Sequence, residues 1–453
     1  MALVALAIFS IIAMAGLSID VGTLYQASAE AQRAADAAAL AAARTLSTSG
    51  MTGDPANAAG SWSTVCSAAT QIAQTVASQN TVGGAPPNSV TVTFIAGDQK
   101  SDCTAASGTA VSFGVNPTVT VQVSQSNLPT YFARIWGRTG NTVGATATAE
   151  VFNPSNSSAY SASGNIVPVQ PRCVKPLIIP NRDPGHQPGP WCAGTGCNTF
   201  VTLTPGLDGN ITTGGILINN GGTGVIGESF LLIPDCATGA ANCFKAETSS
   251  PAANVNGTPK PNLQYIPGLV SGAAVAVPSC GNTPSFQPAI AGCDQTTQYQ
   301  CGVNYSASAN PNEINLNENP GGANGDTATA AACLINKPGQ DSLEDSVYPY
   351  QIIAGPNNPV PNVSGKAITN STSIVTLPIY DDTQYEPPHN PLSVNSPITI
   401  VGFLQVFIQD VTTADGSLAV TVMNIAACGN GVDPGTPPVY GSSPVPVRLI
   451  TPP

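Results

Sequence analysis

Hydrophobic positions fall into three regimes along the chain. From Ala2 to Ile19 the sequence reads ALVALAIFSIIAMAGLSI, eighteen residues without a charge or a proline. From Ala27 to Ala43 almost every position is alanine, with Glu30, Gln32, Arg33 and Asp36 spaced among them and Arg44 just after. Beyond that, apolar residues come in short alternating or β-branched runs separated by Pro, Gly and Asn. Nothing from Met1 to Leu46 breaks a helix, so the first two regimes predict one continuous helix. At 1.5 Å per residue it would be about 69 Å long, more than twice the roughly 30 Å hydrocarbon core of a bilayer. The first half meets the criterion for a transmembrane helix. The second half does not, because alanine gains little in lipid. It is, however, the best intrinsic helix former, and its small side chain lets a neighbouring helix approach closely. A packing partner is therefore expected along the alanines. Ser18 and Gly22 add a small-xxx-small pair where the two halves meet.

A cleaved secretory signal would need a basic n-region, which is missing, although Ala13-Met14-Ala15 mimics a cleavage box. A plain anchor carries Lys or Arg on its cytoplasmic flank, and none precedes this run. Two expectations stay open: a leader already removed before Met1, or a basic flank outside the sequence.

After Leu46 the run STSGMTGDPANAAG stops the helix with Gly, Asp and Pro. A second helix is predicted from about Ser61 to Ser78, where Trp62, Val65, Ala69, Ile72, Ala73 and Val76 recur at helical spacing. Strands are predicted at Ser89 to Ile95, Ala110 to Val115, Thr118 to Val123 and Thr142 to Phe152, with a short helix at Leu128 to Trp136. Asn153 to Gly164 is a Ser/Asn/Gly-rich boundary. From Ile166 to Pro453 no long helix is expected. Strand candidates there are Val174 to Ile179, Phe200 to Thr204, Gly215 to Ile218, Phe230 to Ile233, Ala273 to Val277, Ser373 to Ile379, Ile398 to Gln409 and Ala419 to Ile425. Thr248 to Asn262 and Asn310 to Gly325 read as long loops. The expected fold class is α+β. A hydrophobic helix over residues 1–47 leads to an α/β head over 48–164, and a β-rich outer domain spans 165–453.

The stretch SIDVGTLYQASAEAQRAADAAALAAA resembles the N-terminal signature of the Flp pilus (tight adherence) assembly proteins of the TadE/TadG-like type. In that pattern an apolar helix leads into a DVG-x-L-Y element, here Asp20, Val21, Gly22, Leu24 and Tyr25, and then an alanine run, here Ala34 to Ala43. Leu128 to Val151 and Ile398 to Val411 are similar to the same family. The resemblance implies a pilin-like head and two alternative roles. One is a structural subunit of an extracellular type IV pilus-like filament, a helical homopolymer that sits in the inner membrane before assembly and acts in cell adhesion. The other is an inner-membrane-anchored periplasmic component of a Tad assembly or secretion machine. Either way Tad-type machinery is the implied partner.

In the filament reading, Leu3, Val4, Leu6, Ile8, Phe9, Ile11, Ile12, Met14 and Leu17 leave lipid for a helical bundle. Gly16, Asp20, Gly22, Tyr25, Ala34 and Ala38 belong to the same assembly helix. One departure counts against it: pilins usually carry Glu at the fifth position to neutralise an N-terminal amine, and here that residue is Ala5. The family often carries a metal-dependent von Willebrand type A module, but its D-x-S-x-S motif does not occur here.

Composition narrows the function classes. Only 8% of residues are charged, with 45 glycines and 41 prolines, which points to an exported, loop-rich, β-rich protein. A net charge of -12 with 13 Lys and Arg argues against a nucleic-acid partner. A hydrophobic fraction of 42% with recurring strand-like runs argues against disorder. Twelve cysteines, Cys66, Cys103, Cys173, Cys192, Cys197, Cys236, Cys243, Cys280, Cys293, Cys301, Cys333 and Cys428, read as disulfides in an exported chain. Zinc is disfavoured because no C-x2-C pair occurs, and covalent haem because no C-x-x-C-H occurs. Local closure favours Cys66 with Cys103, Cys192 with Cys197 and Cys236 with Cys243, and Cys173 with Cys428 would staple the ends of the outer domain.

No enzymatic motif stands out. Gly222-x-Gly224-x-x-Gly227 matches a dinucleotide fingerprint in spacing but runs into the strand ESFLLIP rather than a helix. His186 and His389 lie in proline-rich loops without a nucleophile context. No cofactor is expected. Calcium is the one ion with candidate oxygen ligands, at Asp381, Asp382 and Glu386 and at Asn315, Asn317, Glu318, Asn324 and Asp326, with solvated loops as the default account. Six N-x-S/T sequons, at Asn156, Asn210, Asn256, Asn304, Asn362 and Asn370, are glycosylation candidates.

Overall fold

A computed structural model of the chain describes residues 2–49, 51–53, 62–104, 116–137, 140–152, 169–180, 202–203, 211–212, 227–234, 253–255, 258–260, 262–268, 270, 286–293, 299, 320–345, 349–380, 400–412, 416–427, 439–441 and 445–450. The chain divides into two compact units. The first comprises Met1–Leu46, Ala59–Val151 and Val447–Pro453, the second Ser47–Ala58 and Phe152–Pro446. The fold class is α+β, as the hydrophobic pattern predicts.

Helix α1, all but its last two residues in the first unit, runs unbroken over Ala2–Thr48, as an alanine- and leucine-rich sequence without proline favours. Helix α2, Trp62–Gln79, buries Trp62, Val65, Cys66, Ala69, Ala73 and Ala77 on one face. Strands β1 (Ser89–Ile95), β2 (Thr118–Leu128) and β3 (Asn141–Val151) form an antiparallel sheet. Val119, Val121 and Val123 are buried at every second position of β2, and Val121 lies between Val92 and Ala147 in the register. Trp62 meets Phe94 edge-on with ring centroids 5.6 Å apart, and its indole N–H donates to the Lys100 carbonyl at 2.9 Å. The Cys66–Cys103 disulfide closes the same corner.

The fourth strand of this sheet is not the expected one. Val447–Ile450, from the far end of the chain, pairs antiparallel with β3, and Arg448 forms a 2.8 Å ion pair with the buried Glu150. Ala110 to Val115 lies outside the described residues. The division at residues 48–164 is corrected accordingly: Ser47–Ala58 and everything from Phe152 to Pro446 belong to the second unit, and Val447–Pro453 returns to the first. Strand pairing is non-local, and a five-residue run between prolines carries no signal of its partner. The short helix expected at Leu128 to Trp136 is a single 3-10 turn, Ala133–Trp136.

The second unit is built on a closed six-stranded barrel. Its strands are β4 (Leu177–Pro180), β5 (Ser229–Pro234), β6 (Asn262–Pro267), β7 (Ile374–Tyr380), β8 (Ile400–Val411) and β9 (Leu418–Ala427), in the order β6-β4-β7-β8-β9-β5. The pairs β5·β6 and β4·β7 are parallel and the rest antiparallel. Leu377, Val406, Leu232 and Val420 fill one core cluster, while Phe407 and Met423 pack outside it with Ile352. Both faces of β8 and β9 are therefore covered, which is why their sequences are almost continuously apolar. Gly227, at φ +89°, turns the chain into β5, so the glycine fingerprint is followed by a strand.

Two expectations for this unit are corrected. The region read as helix-free holds a 15-residue helix, Pro320–Leu334 (α4), which takes in residues 320–325 of the predicted loop. It packs on the short helix Phe286–Ala291 (α3), burying Ala328, Ala330 and Ala331 beside Phe286 and Ile290. Its glycine-rich first turns hide it from propensity, although proline suits a helix start. The loop Thr248 to Asn262 contains a small antiparallel pair, Ala253–Val255 with Thr258–Lys260. The candidates Gly215 to Ile218 and Ala273 to Val277 lie outside the described residues.

The disulfide expectation is also corrected in part. Cys173 bonds to Cys293, not to Cys428. Spacing along the chain reports loop closure, whereas the barrel brings the start of β4 to the end of α3. Cys333 is disulfide-bonded too, and the Cys192/Cys197 and Cys236/Cys243 pairs, with Cys280, Cys301 and Cys428, lie outside the described residues.

Lys175 is buried beside this disulfide, its ammonium donating to the Gly292 carbonyl, and burial pulls its pKa down to about 8. The unfolded chain therefore holds this proton more tightly than the folded one, and stability rises with pH from about 8 towards the ordinary value of 10.5. Between pH 7 and 9 the gain is about 1 kcal/mol. Chemical unfolding at the two pH values is expected to show it in the parent chain and not in Lys175→Met. A chain ending at Pro446 is expected to lose the Arg448–Glu150 pair and the edge of the sheet. Its head should unfold at lower denaturant concentration while the barrel midpoint stays within error, as read by amide exchange of β2 and β8.

Candidate assembly helix

Helix α1 changes its surroundings along its length. Leu3, Val4, Ile8, Phe9, Ile11, Ile12, Met14, Leu17 and Ile19 are all exposed, Leu3 at 85% and Phe9 at 68%. Successive residues of a helix are 100° apart, so these side chains surround the rod rather than forming a stripe. From Gly16 onward a covered seam begins, running through Gly16, Asp20, Ala27, Ala31, Ala34, Ala35, Ala38, Ala39, Ala42, Ala43 and Leu46. The spacing of three and four follows one helix face. From Leu3 to Val21 the rod is about 28 Å long, close to the thickness of a bilayer core.

The seam opens with a close approach and a charge. A Cβ placed on Gly16 would lie 2.6 Å from Cγ of Phe132, so the ring rests where only glycine leaves room. One turn on, the Asp20 carboxylate is buried and accepts three backbone N–H groups, from Tyr131 at 2.8 Å, Phe132 at 3.0 Å and Ala133 at 2.6 Å. These are the first amides of the Ala133–Trp136 turn and the two residues before it, which have no partner inside that turn. An acid in the interior of an apolar helix is costly unless its charge is met, and here three oriented donors meet it. Further along, Glu30 accepts from the Gly83 amide at 2.8 Å, and the Gln32 amide donates to Thr146 at 3.4 Å. Both contacts fix the alanine part of the helix to the head's own loops and strands.

This arrangement corrects the expected use of the alanines. Ala34 and Ala38 were assigned to packing against neighbouring helices, yet both are fully buried by the chain's own residues. Small side chains do allow close approach here, but within one chain. Leu3, Phe9, Ile12 and Tyr25 remain exposed, as do Ser18 and Gly22, where an added Cβ would meet nothing within 4 Å. Leu6 lies on the same helix. The sequence analysis missed the engagement of Asp20 with Tyr131 to Ala133. The signal available was a lone acid at the border of an uncharged run, which demands a local partner.

The other candidates stay apart from this site. Asp381, Asp382, Glu386, Asn315, Asn317, Glu318, His186 and His389 lie outside the described residues. Asn324 and Asp326 fall on helix α4 rather than in a loop, and Asp326 accepts from the Gln287 amide at 2.7 Å. Burial raises the Asp326 carboxyl above its ordinary range, against the opposing effect of that hydrogen bond. Among the described residues no group of three or more His, Cys, Asp or Glu side chains is placed to hold a metal. Asn362 and Asn370 are exposed, and the sequons at Asn156, Asn210, Asn256 and Asn304 lie outside the described residues.

Removing the Asp20 carboxylate is expected to free the three amides that it binds. In Asp20→Ala, hydrogen exchange at Tyr131, Phe132 and Ala133 should quicken by about tenfold or more, while β2 keeps its protection. Exchange unchanged at all three would show that the carboxylate does not hold this segment.

Comparison with known proteins bears on this helix alone. No curated protein and no solved structure matches the chain. The segment that carries the apolar rod, the Asp20 contact and the alanine seam is the one shared with a known family: residues 1–45 match the family described as "Putative Flp pilus-assembly TadE/G-like".

Proposed function

We propose that the chain is a pilin-like subunit of a Tad-type pilus system. It is held in the inner membrane by the Leu3–Val21 rod and enters an extracellular filament when that rod exchanges lipid for the rods of neighbouring copies. The observation that carries this reading is the division of one unbroken helix into a first part apolar and exposed on every side and a second part built into the chain's own head. The match of residues 1–45 to the pilus-assembly family supports it.

Energetics separate the steps. Each large apolar side chain of the rod gains roughly 1.5 to 3 kcal/mol on leaving water. Water is therefore excluded as its resting environment, and a bilayer or a bundle of rods is required. Moving from lipid into a bundle gains no further hydrophobic free energy. Assembly then rests on van der Waals packing, with Gly22 and Ser18 as points of close approach, and on contacts between heads. The alanine seam contributes by holding each head rigidly to its rod, not by joining rods.

A second reading is a component that stays in the membrane and serves the assembly machine. It is favoured by Ala5, where pilins usually carry Glu, and by Asp20, whose carboxylate is already committed to its own head. Electron microscopy of material sheared from producing cells, with mass spectrometry of its subunits, decides between the two. Fibres containing this chain are expected. The chain found only in detergent-extracted membranes, with fibres of other composition, would overturn the filament role.

A further inference from the structure

The segment from Pro129 to Gly137 is fixed to the rod at the depth where its apolar surface ends. Asp20 holds the amides of Tyr131, Phe132 and Ala133, and Phe132 rests on Gly16. Leu17, Ile19 and Val21 are exposed on the helix at this same level. Tyr131 points outward at 60% exposure, Arg134 is exposed three residues on, and Tyr25 stands at 75% exposure about one turn beyond Val21. Two exposed tyrosines and an arginine thus ring the end of an apolar rod about one bilayer core long.

We infer that this segment is a second membrane contact, with Tyr131 and Arg134 seated in the interfacial layer of a phospholipid bilayer beside the emerging helix. The inference rests on the membrane-held state described above and adds to it a surface of the head. Tyrosine places an apolar ring at the hydrocarbon edge and its hydroxyl among headgroups, and arginine reaches phosphate with several donors. The backbone is prepared for that environment. Amides of Tyr131 to Ala133 would be costly to bring near hydrocarbon if unbonded, and the Asp20 carboxylate satisfies all three while they neutralise its charge. A lipid occupant is favoured over a neighbouring helix because Leu17, Ile19 and Val21 are exposed over roughly 200° of the helix circumference, the part that Gly16 and Asp20 do not turn to the head, and not along one narrow stripe. Two contacts at one depth would set the height of the head above the membrane and stop the helix from sliding.

The test is photocrosslinking of the full chain in phosphatidylethanolamine/phosphatidylglycerol vesicles carrying tritiated phospholipid. p-Benzoylphenylalanine replaces Ile11 in the rod, Tyr131 in the segment, or Thr91 on exposed strand β1. Lipid adducts are expected at Ile11 and Tyr131 in comparable yield, several-fold above Thr91. Adducts at Ile11 with Tyr131 no higher than Thr91 would overturn this contact and leave the membrane anchor standing. Adducts at none of the three would overturn both. Crosslinking of Tyr131 to a second copy of the chain in place of lipid would overturn the contact in favour of a subunit interface.

Discussion

The Asp20 carboxylate and the three amides that it binds determine where α1 stops being a free rod and becomes part of a folded unit. On one side lie large apolar side chains, from Leu3 to Ile19, that the rest of the chain leaves exposed. On the other lies a face of alanines buried to the last atom. A carboxylate at that border has two physical effects. It cannot move into hydrocarbon with its charge unmet, so it sets a limit on how far the helix can slide into a bilayer. It also satisfies the amides of a tight turn that would otherwise be left without acceptors. A single side chain thus couples the position of the rod to the structure of the head.

The head gains its rigidity from elements far apart in sequence. Its sheet takes three strands from the first third of the chain and a fourth from the C-terminus, with Glu150 and Arg448 paired across that junction. The Cys66–Cys103 disulfide and the Trp62–Phe94 contact fix α2 to the end of β1. Most of the barrel unit, Phe152–Pro446, is inserted between β3 and Val447–Ile450, so that part is bounded in sequence by two hydrogen-bonded neighbours. A chain arranged in this way cannot complete its first unit until Val447–Ile450 has been made.

Low charge across the chain has a structural counterpart. Asp341, almost fully buried, accepts from Gly355 at 2.8 Å, from Asn358 at 2.9 Å and from the Ser371 hydroxyl at 2.5 Å, drawing three loops together without a cation. Asp20 does the same in the other unit with backbone donors alone. In both places an acid is neutralised by oriented dipoles rather than by Lys or Arg, of which the chain has 13 in 453 residues. Buried acids of this kind are structural organisers, and their hydrogen-bond partners leave little capacity for a metal.

The sequence by itself determined the long helix, its apolar and alanine halves, the second helix, three of the head's four strands and five of the barrel's six, all but Asn262–Pro267, because periodicity and propensity are local properties of neighbouring residues. Of the three segments on which the family resemblance was read, the one at the helix, Ser18 to Ala43, falls within residues 1–45 that the comparison matches, and Leu128 to Val151 and Ile398 to Val411 do not. Helix α4 escaped because Gly321, Gly322 and Gly325 mask a start that only packing against α3 makes favourable. The partner of Cys173, the fourth strand of the head and the burial of Ala34 and Ala38 were decided by the tertiary structure. Each depends on which distant segment arrives at a given surface. A run of alanines specifies that something approaches closely, but not whether it is another chain or its own head; that choice belongs to the fold as a whole.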